Sequence, residues 1–196
     1  MNRQKITYAL VIVFLAFLAV SSFILSNTGA NQNQSRQAQE VLTSAPITLT
    51  NFDKSILGTR LDPSKLKTQP IHADFAVFIN NEQVDFNNPE YFLKSAFMHV
   101  ERDDDGSDGK KLHMHSTNVP LWVFFESIGM NFNRNCITLD NGENFCGTDK
   151  MKFFVNGQEN DEYENYVFED GDKILISFNS SSIVRELALV TDFSRI

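Results

Sequence analysis

Two short alternating runs on either side of a polar turn constrain this chain more than any other feature. Residues 97–101 read Phe-Met-His-Val-Glu and residues 112–116 read Leu-His-Met-His-Ser. The ten residues between them are mostly Asp, Gly, Ser and Lys, which is turn chemistry. The pattern predicts a β-hairpin folded near Gly106, with His99 opposite His113. Alternation puts His115 on the face of His113, and a directly opposed residue shares that face, so His99 joins them. Met98, Val100, Leu112 and Met114 then form the other, wholly apolar face, which is expected to enter the core. The histidine face is expected to point to solvent.

Three imidazoles within about 5–8 Å of one another on a sheet surface can converge on one metal ion. Neutral imidazole suits zinc, copper, iron and nickel, and zinc sites often add a carboxylate or water. Glu101 shares the face of His99 and is a further candidate ligand. The fourth histidine, His72, stands at the entrance of a strand expected over 73–80. It completes the set His99, His113, His115 and His72 if that strand neighbours the hairpin. The competing reading is a polar sheet face with solvated histidines. Asp103, Asp104, Asp105 and Asp108 around Gly106 resemble part of a calcium loop. Counted from Glu101, however, position twelve is Leu112 where a Glu is required.

The hairpin leads into a helix. Pro120 fits a first helical position, with Thr117 or Asn118 as cap. Leu121, Phe124, Phe125 and Ile128 follow helical spacing, and Gly129 is a natural stop. Trp122, the single tryptophan, falls off that stripe and is expected to be partly exposed.

Further on, Asn141-Gly142 marks a tight hairpin that sets Cys136 opposite Cys146. These are the only cysteines, and in an exported domain they read as a structural disulfide. A redox pair would more commonly show C-x-x-C spacing at a helix start. Strands are expected at 83–86, 152–155 and 173–178, the second followed by an Asn156-Gly157 turn. A short amphipathic tail helix is expected over 180–190. One helix against a mixed sheet makes an α+β domain.

The net charge is −8, which argues against nucleic acid as a partner. Residues 6–25 carry no charge, long enough for a bilayer core of about 30 Å. Arg3 and Lys5 precede them, so the N-terminus is expected in the cytoplasm and the rest outside. The expectation is a single-pass signal anchor over 1–26 held in membrane lipid, a polar stalk and extended linker over 27–70, a domain over 71–178 and a tail over 179–196. A cleaved signal peptide is the alternative, although its apolar region is usually shorter. Asn33-Gln34-Ser35 and Asn179-Ser180-Ser181 are glycosylation sequons.

The closing segments, F-V-N-G and E-D-G-D-K-I-L-I-S-F, resemble the last two strands of β-grasp, ubiquitin-like domains, notably small sulfur carriers. The resemblance implies a β-grasp-like fold. Those carriers end in Gly-Gly just past the strand, and this chain runs on, which speaks against sulfur transfer. A wider likeness rests on H-A-D-F-A-V-F-I-N-N at 72–81, the H-V-E and L-H-M-H pair, V-P-L-W-V-F-F-E-S-I-G-M at 119–130, the two cysteines and D-G-D-K-I-L-I-S-F. Over about 71–178 the chain resembles a group of membrane-anchored ectodomain proteins of ammonia-oxidising archaea, some of them labelled protein-disulfide isomerases. The likeness implies an archaeal cell exterior, and copper as the metal by association with those organisms. The isomerase label finds no C-x-x-C here.

The reading that follows is a membrane-tethered, extracytoplasmic binding module, non-catalytic, holding Cu or Zn through the histidine cluster. One alternative is a thiol–disulfide oxidoreductase or isomerase using Cys136 and Cys146. Another is a metal-free interaction domain that joins a larger membrane-protein complex. No nucleophile, base and oxyanion set for a hydrolase can be assembled from these motifs.

Overall fold

The computed structural model describes residues 48–191, except 105 and 148. The expected anchor, most of the expected stalk, the Asn33 sequon, Asp105 and the last five residues lie outside that set. Among the described residues, no helix is long and apolar enough to cross a membrane.

The fold is α+β. Its main sheet contains β1 (Thr68–Ile79), β2 (Glu82–Gln83), β3 (Met98–His99), β4 (Lys111–Ser116), β8 (Met151–Val155), β9 (Gln158–Glu159) and β10 (Asp172–Phe178). The spatial order is β3-β4-β1-β10-β8-β9, with β2 folded back on the end of β1. β1 and β10 run parallel at the centre, Ala73 beside Asp172 and Ile79 beside Phe178. The flanking pairs, β1 with β4 and β10 with β8, are antiparallel. β5 (Asn131–Phe132), β6 (Cys136–Thr138) and β7 (Asn144–Cys146) form a separate three-stranded sheet.

Alternation divides the main sheet into two faces. Phe75 and Val77 of β1, Met98 of β3, Leu112 and Met114 of β4, and Ile174 and Ile176 of β10 enter one large core. They meet Val123, Phe124 and Phe125 of helix α2 (Trp122–Ser127) there. The apolar hairpin face predicted from the sequence is wholly buried: Met98, Val100, Leu112 and Met114 are each 0 % exposed. On the other face Ala76, Phe78 and Leu175 pack under Val190 of helix α3 (Ile183–Thr191). α3 is clamped by Glu186, whose two carboxylate oxygens accept hydrogen bonds from the Ser177 and Ser180 hydroxyls, each at 2.6 Å. A strand covered on both faces reads as a near-continuous apolar run, as Phe75–Ile79 does.

Several local expectations change. The later part of the expected linker, over 48–70, is structured. Helix α1 (Asn51–Ile56) opens on a capping box between Thr50 and Asp53, and buries Ile56 in the main core. The strand returning after Asn80-Asn81 pairs only over Glu82–Gln83. α2 starts at Trp122 with no side-chain cap. Thr117 and Asn118 instead donate to the Lys65 carbonyl, each at 2.9 Å. Trp122 is only 9 % exposed because the Arg60 guanidinium lies 3.9 Å over its ring, while also pairing with Glu126. The two hairpins marked by Asn-Gly form as expected. In the first, Cys136 pairs with Cys146 across β6 and β7 and the two are disulfide-bonded. In the second, positive φ at Asn156 and Gly157 gives the tight turn between β8 and β9.

Candidate metal centre

The predicted hairpin register holds. Met98 pairs with Met114 and His99 with His113 across β3 and β4. β1 adds the next rung, with His72 beside His113. His72, His113 and His99 therefore form one row across three strands, and His115 stands on the same face. The His99 and His113 rings stack at 5.9 Å, and the His99 and His115 rings at 5.0 Å. The His72 ring meets His113 edge-on at 4.7 Å. All four sequence-predicted residues are thus brought together.

The expected solvent exposure is not found for the central pair. His99 and His113 are each 6 % exposed. The stacked imidazoles screen one another, and the turn after β3 brings two carboxylates over them. Glu101 reaches both rings: Oε1 lies 3.4 Å from His113 Nδ1 and Oε2 lies 3.7 Å from His99 Nε2. Asp103 Oδ1 lies 3.0 Å from His113 Nε2. Candidate ligand atoms of Glu101, Asp103 and His113 all fall within 4.8 Å of one another. This group could hold a metal ion.

Asp103 was not a sequence candidate for this cluster. The signal was present, since residues 99, 101 and 103 keep the period of two that puts them on one side of an extended chain. The run of acidic residues drew Asp103 into a calcium reading instead. In the fold its side chain turns towards His113. Its backbone N–H donates to Asp108 Oδ1 at 2.9 Å, which tightens the turn.

The electrostatics of His113 are unusual. Burial, together with the neighbouring His72, His99 and His115, pushes its pKa down to about 4, against the pull of Glu101. Each of its two nitrogens faces a carboxylate oxygen. Nε2 is buried and makes no hydrogen bond. Burial also lowers the pKa of His99, opposed by the Ser95 carbonyl, and of His115, assisted by His99. Neutral imidazole is the form in which histidine binds metal.

His99 shows a feature of metal-ligating histidines. Its Nδ1 lies 2.6 Å from the Ser95 carbonyl oxygen. A carbonyl can only accept, so Nδ1 carries a proton, and in the neutral ring Nε2 presents its lone pair towards Glu101. Such outer contacts fix the tautomer of metal-binding histidines.

The disulfide lies apart from these residues, on the three-stranded sheet. Cys136 is half-buried and Cys146 is exposed. No family model matches this chain, and no match is found among curated proteins or solved structures.

Proposed function

We propose that this protein is a membrane-tethered, extracytoplasmic module that binds one divalent metal ion, Zn or Cu(II). His113, Glu101 and Asp103 are its ligands, and His99 joins them through Nε2. His115 and His72 line the rim.

The observation that carries the reading is the buried His113 imidazole set between two carboxylates, with one candidate ligand atom each of Glu101, Asp103 and His113 within 4.8 Å of the others. A cation held by one atom of each would neutralise the two carboxylates gathered against the buried ring. Ligands in tetrahedral array around zinc at about 2.0–2.2 Å stand roughly 3.4 Å apart, so the three side chains close on the ion when it binds. Nitrogen with carboxylate oxygen is a donor set for Zn or Cu(II) and not for a soft ion such as Cu(I). Met98 and Met114 could have supplied thioethers, but they face the opposite side of the hairpin, in the core.

The membrane tether rests on the uncharged run over 6–25, and export is consistent with a disulfide. The β-grasp-like reading is supported by the parallel central pair of first and last long strands, with α2 packed on one face of the sheet.

The direct test is elemental analysis of the purified full chain after incubation with zinc and copper and removal of excess. One retained equivalent, lost in both Glu101→Gln and His113→Ala, is the expected result. A chain that retains no metal, or retains it equally in both variants, sinks the proposal.

A further inference from the structure

We infer that Asp53, acting through Ser95, is the positioning residue that holds His99 in its metal-binding tautomer, an inference that rests on the metal-binding reading above. Asp53 and Ser95 are each 0 % exposed. Asp53 lies on α1, a segment with no ligand of its own, and reaches across the core to the turn before β3. Its Oδ1 accepts the Ser95 hydroxyl at 2.6 Å, and its Oδ2 accepts the Ala96 backbone N–H at 2.9 Å. The Ser95 hydroxyl oxygen in turn accepts the Phe97 N–H at 3.1 Å. The turn over 95–97 is thereby wrapped around one buried carboxylate.

That turn ends in the group that matters for His99. The Ser95 carbonyl, held by this clamp, takes the proton-bearing Nδ1 at 2.6 Å. The lone pair of Nε2 is left facing the Glu101 carboxylate at 3.7 Å. The alternative tautomer would put a lone pair against the carbonyl oxygen and an N–H where the ion belongs. Outer contacts of this kind set both the ring orientation and the basicity of a ligating histidine.

The other buried carboxylate on a helix, Glu186, also binds two hydroxyls, but it fastens α3 to β10. Asp53 is the one whose hydrogen bonds lead to the histidine face. It has a second duty, capping α1: Oδ2 also accepts the Thr50 backbone N–H and hydroxyl at 2.8 and 2.9 Å. Thr50 therefore supplies a control that loosens the same helix without touching Ser95.

The experiment uses the full chain in detergent, labelled with 15N-histidine; four residues give signals. In the metal-free protein His99 should show a protonated Nδ1 and an unprotonated Nε2. In Asp53→Ala, and in Ser95→Ala, which is gentler on the fold, His99 should become a mixture of tautomers. Zinc affinity, read by competition with a chelator, should fall about 10–100-fold. Thr50→Ala should leave both readouts near wild type. A single Nδ1–H tautomer surviving in Ser95→Ala and Asp53→Ala overturns the inference. Equal losses in Thr50→Ala also overturn it, because they would reduce Asp53 to a helix cap. Failure of the wild type to bind zinc would remove the metal reading alone. The tautomer signals would then still decide what Asp53 does.

Discussion

His72 meets His113 edge-on across β1 and β4, with ring centroids 4.7 Å apart, yet His72 is exposed and His113 is buried. The two neighbours therefore have different roles. His113 lies between Glu101 and Asp103, and His72 covers its edge from the solvent side. His113→Ala should weaken zinc binding about 100-fold or more, whereas His72→Ala should change it only a few-fold, mainly in the rate of entry. Stopped-flow competition with a chromogenic chelator reads both. An equal loss in the two variants would make His72 a ligand.

Acid should destabilise the metal-free protein through the same cluster. The folded pKa of His113 lies near 4, below an unfolded value of about 6.5, and those of His99 and His115 are lowered too. Between these values the unfolded chain takes up protons that the folded chain refuses. This contribution is therefore fully present above pH 6.5 and is lost as the pH falls towards 4. His113 alone accounts for roughly 3 kcal/mol over the window. Urea midpoints measured from pH 7.5 to 4 should show the fall, and His113→Gln, which cannot titrate, should flatten it. A slope unchanged in His113→Gln would assign the effect to other groups.

The disulfide should contribute stability and nothing to metal binding. Cys136 and Cys146 close a loop with a sequence separation of 10, for which the chain-entropy model gives about 2–3 kcal/mol. The double variant Cys136→Ser with Cys146→Ser should lose that much in urea unfolding and keep its zinc affinity. A marked drop in affinity would tie the thiols to the metal centre.

Gly109 should resist any side chain. It sits at φ +68°, and an added Cβ would come within 2.4 Å of backbone atoms of Phe86 and Asn87. Backbone cannot swing aside as a side-chain end can. Gly109→Ala should therefore cost about 2 kcal/mol or more. It should also weaken zinc binding, because Gly109 anchors the return of the loop that carries Glu101 and Asp103. Gly106→Ala, with open space around its Cβ, is the comparison. Affinity intact in Gly109→Ala would separate the loop's base from the centre.

Much of this molecule was legible wherever two sequence patterns agreed. Alternation on both sides of a polar turn fixed the His99–His113 register, and Asn141-Gly142 did the same for Cys136 and Cys146. The Leu121, Phe124, Phe125 and Ile128 stripe found the core face of α2. What stayed hidden depended on partners distant in sequence. Nothing near Trp122 announces that Arg60 will cover it. The spacing of the capping residues Thr50 and Asp53 does not reveal that Asp53 also reaches Ser95 and Ala96. The burial of His113 could not be read from β4 alone, because Asp103 and His72 arrive from other segments. Polarity argued for an outward face, and the fold instead used it to gather ionisable groups under cover.

The parallel pairing of β1 with β10 carries a consequence for the order of assembly. Ala73 waits for Asp172, far along the chain, and pairings so distant in sequence form late. Every histidine, both carboxylates and Asp53 precede Ser116. On a chain made from its N-terminus, α1, β1, β3 and β4 are available well before β10. An ion captured at that stage would hold the early half together while the central strand was still to come.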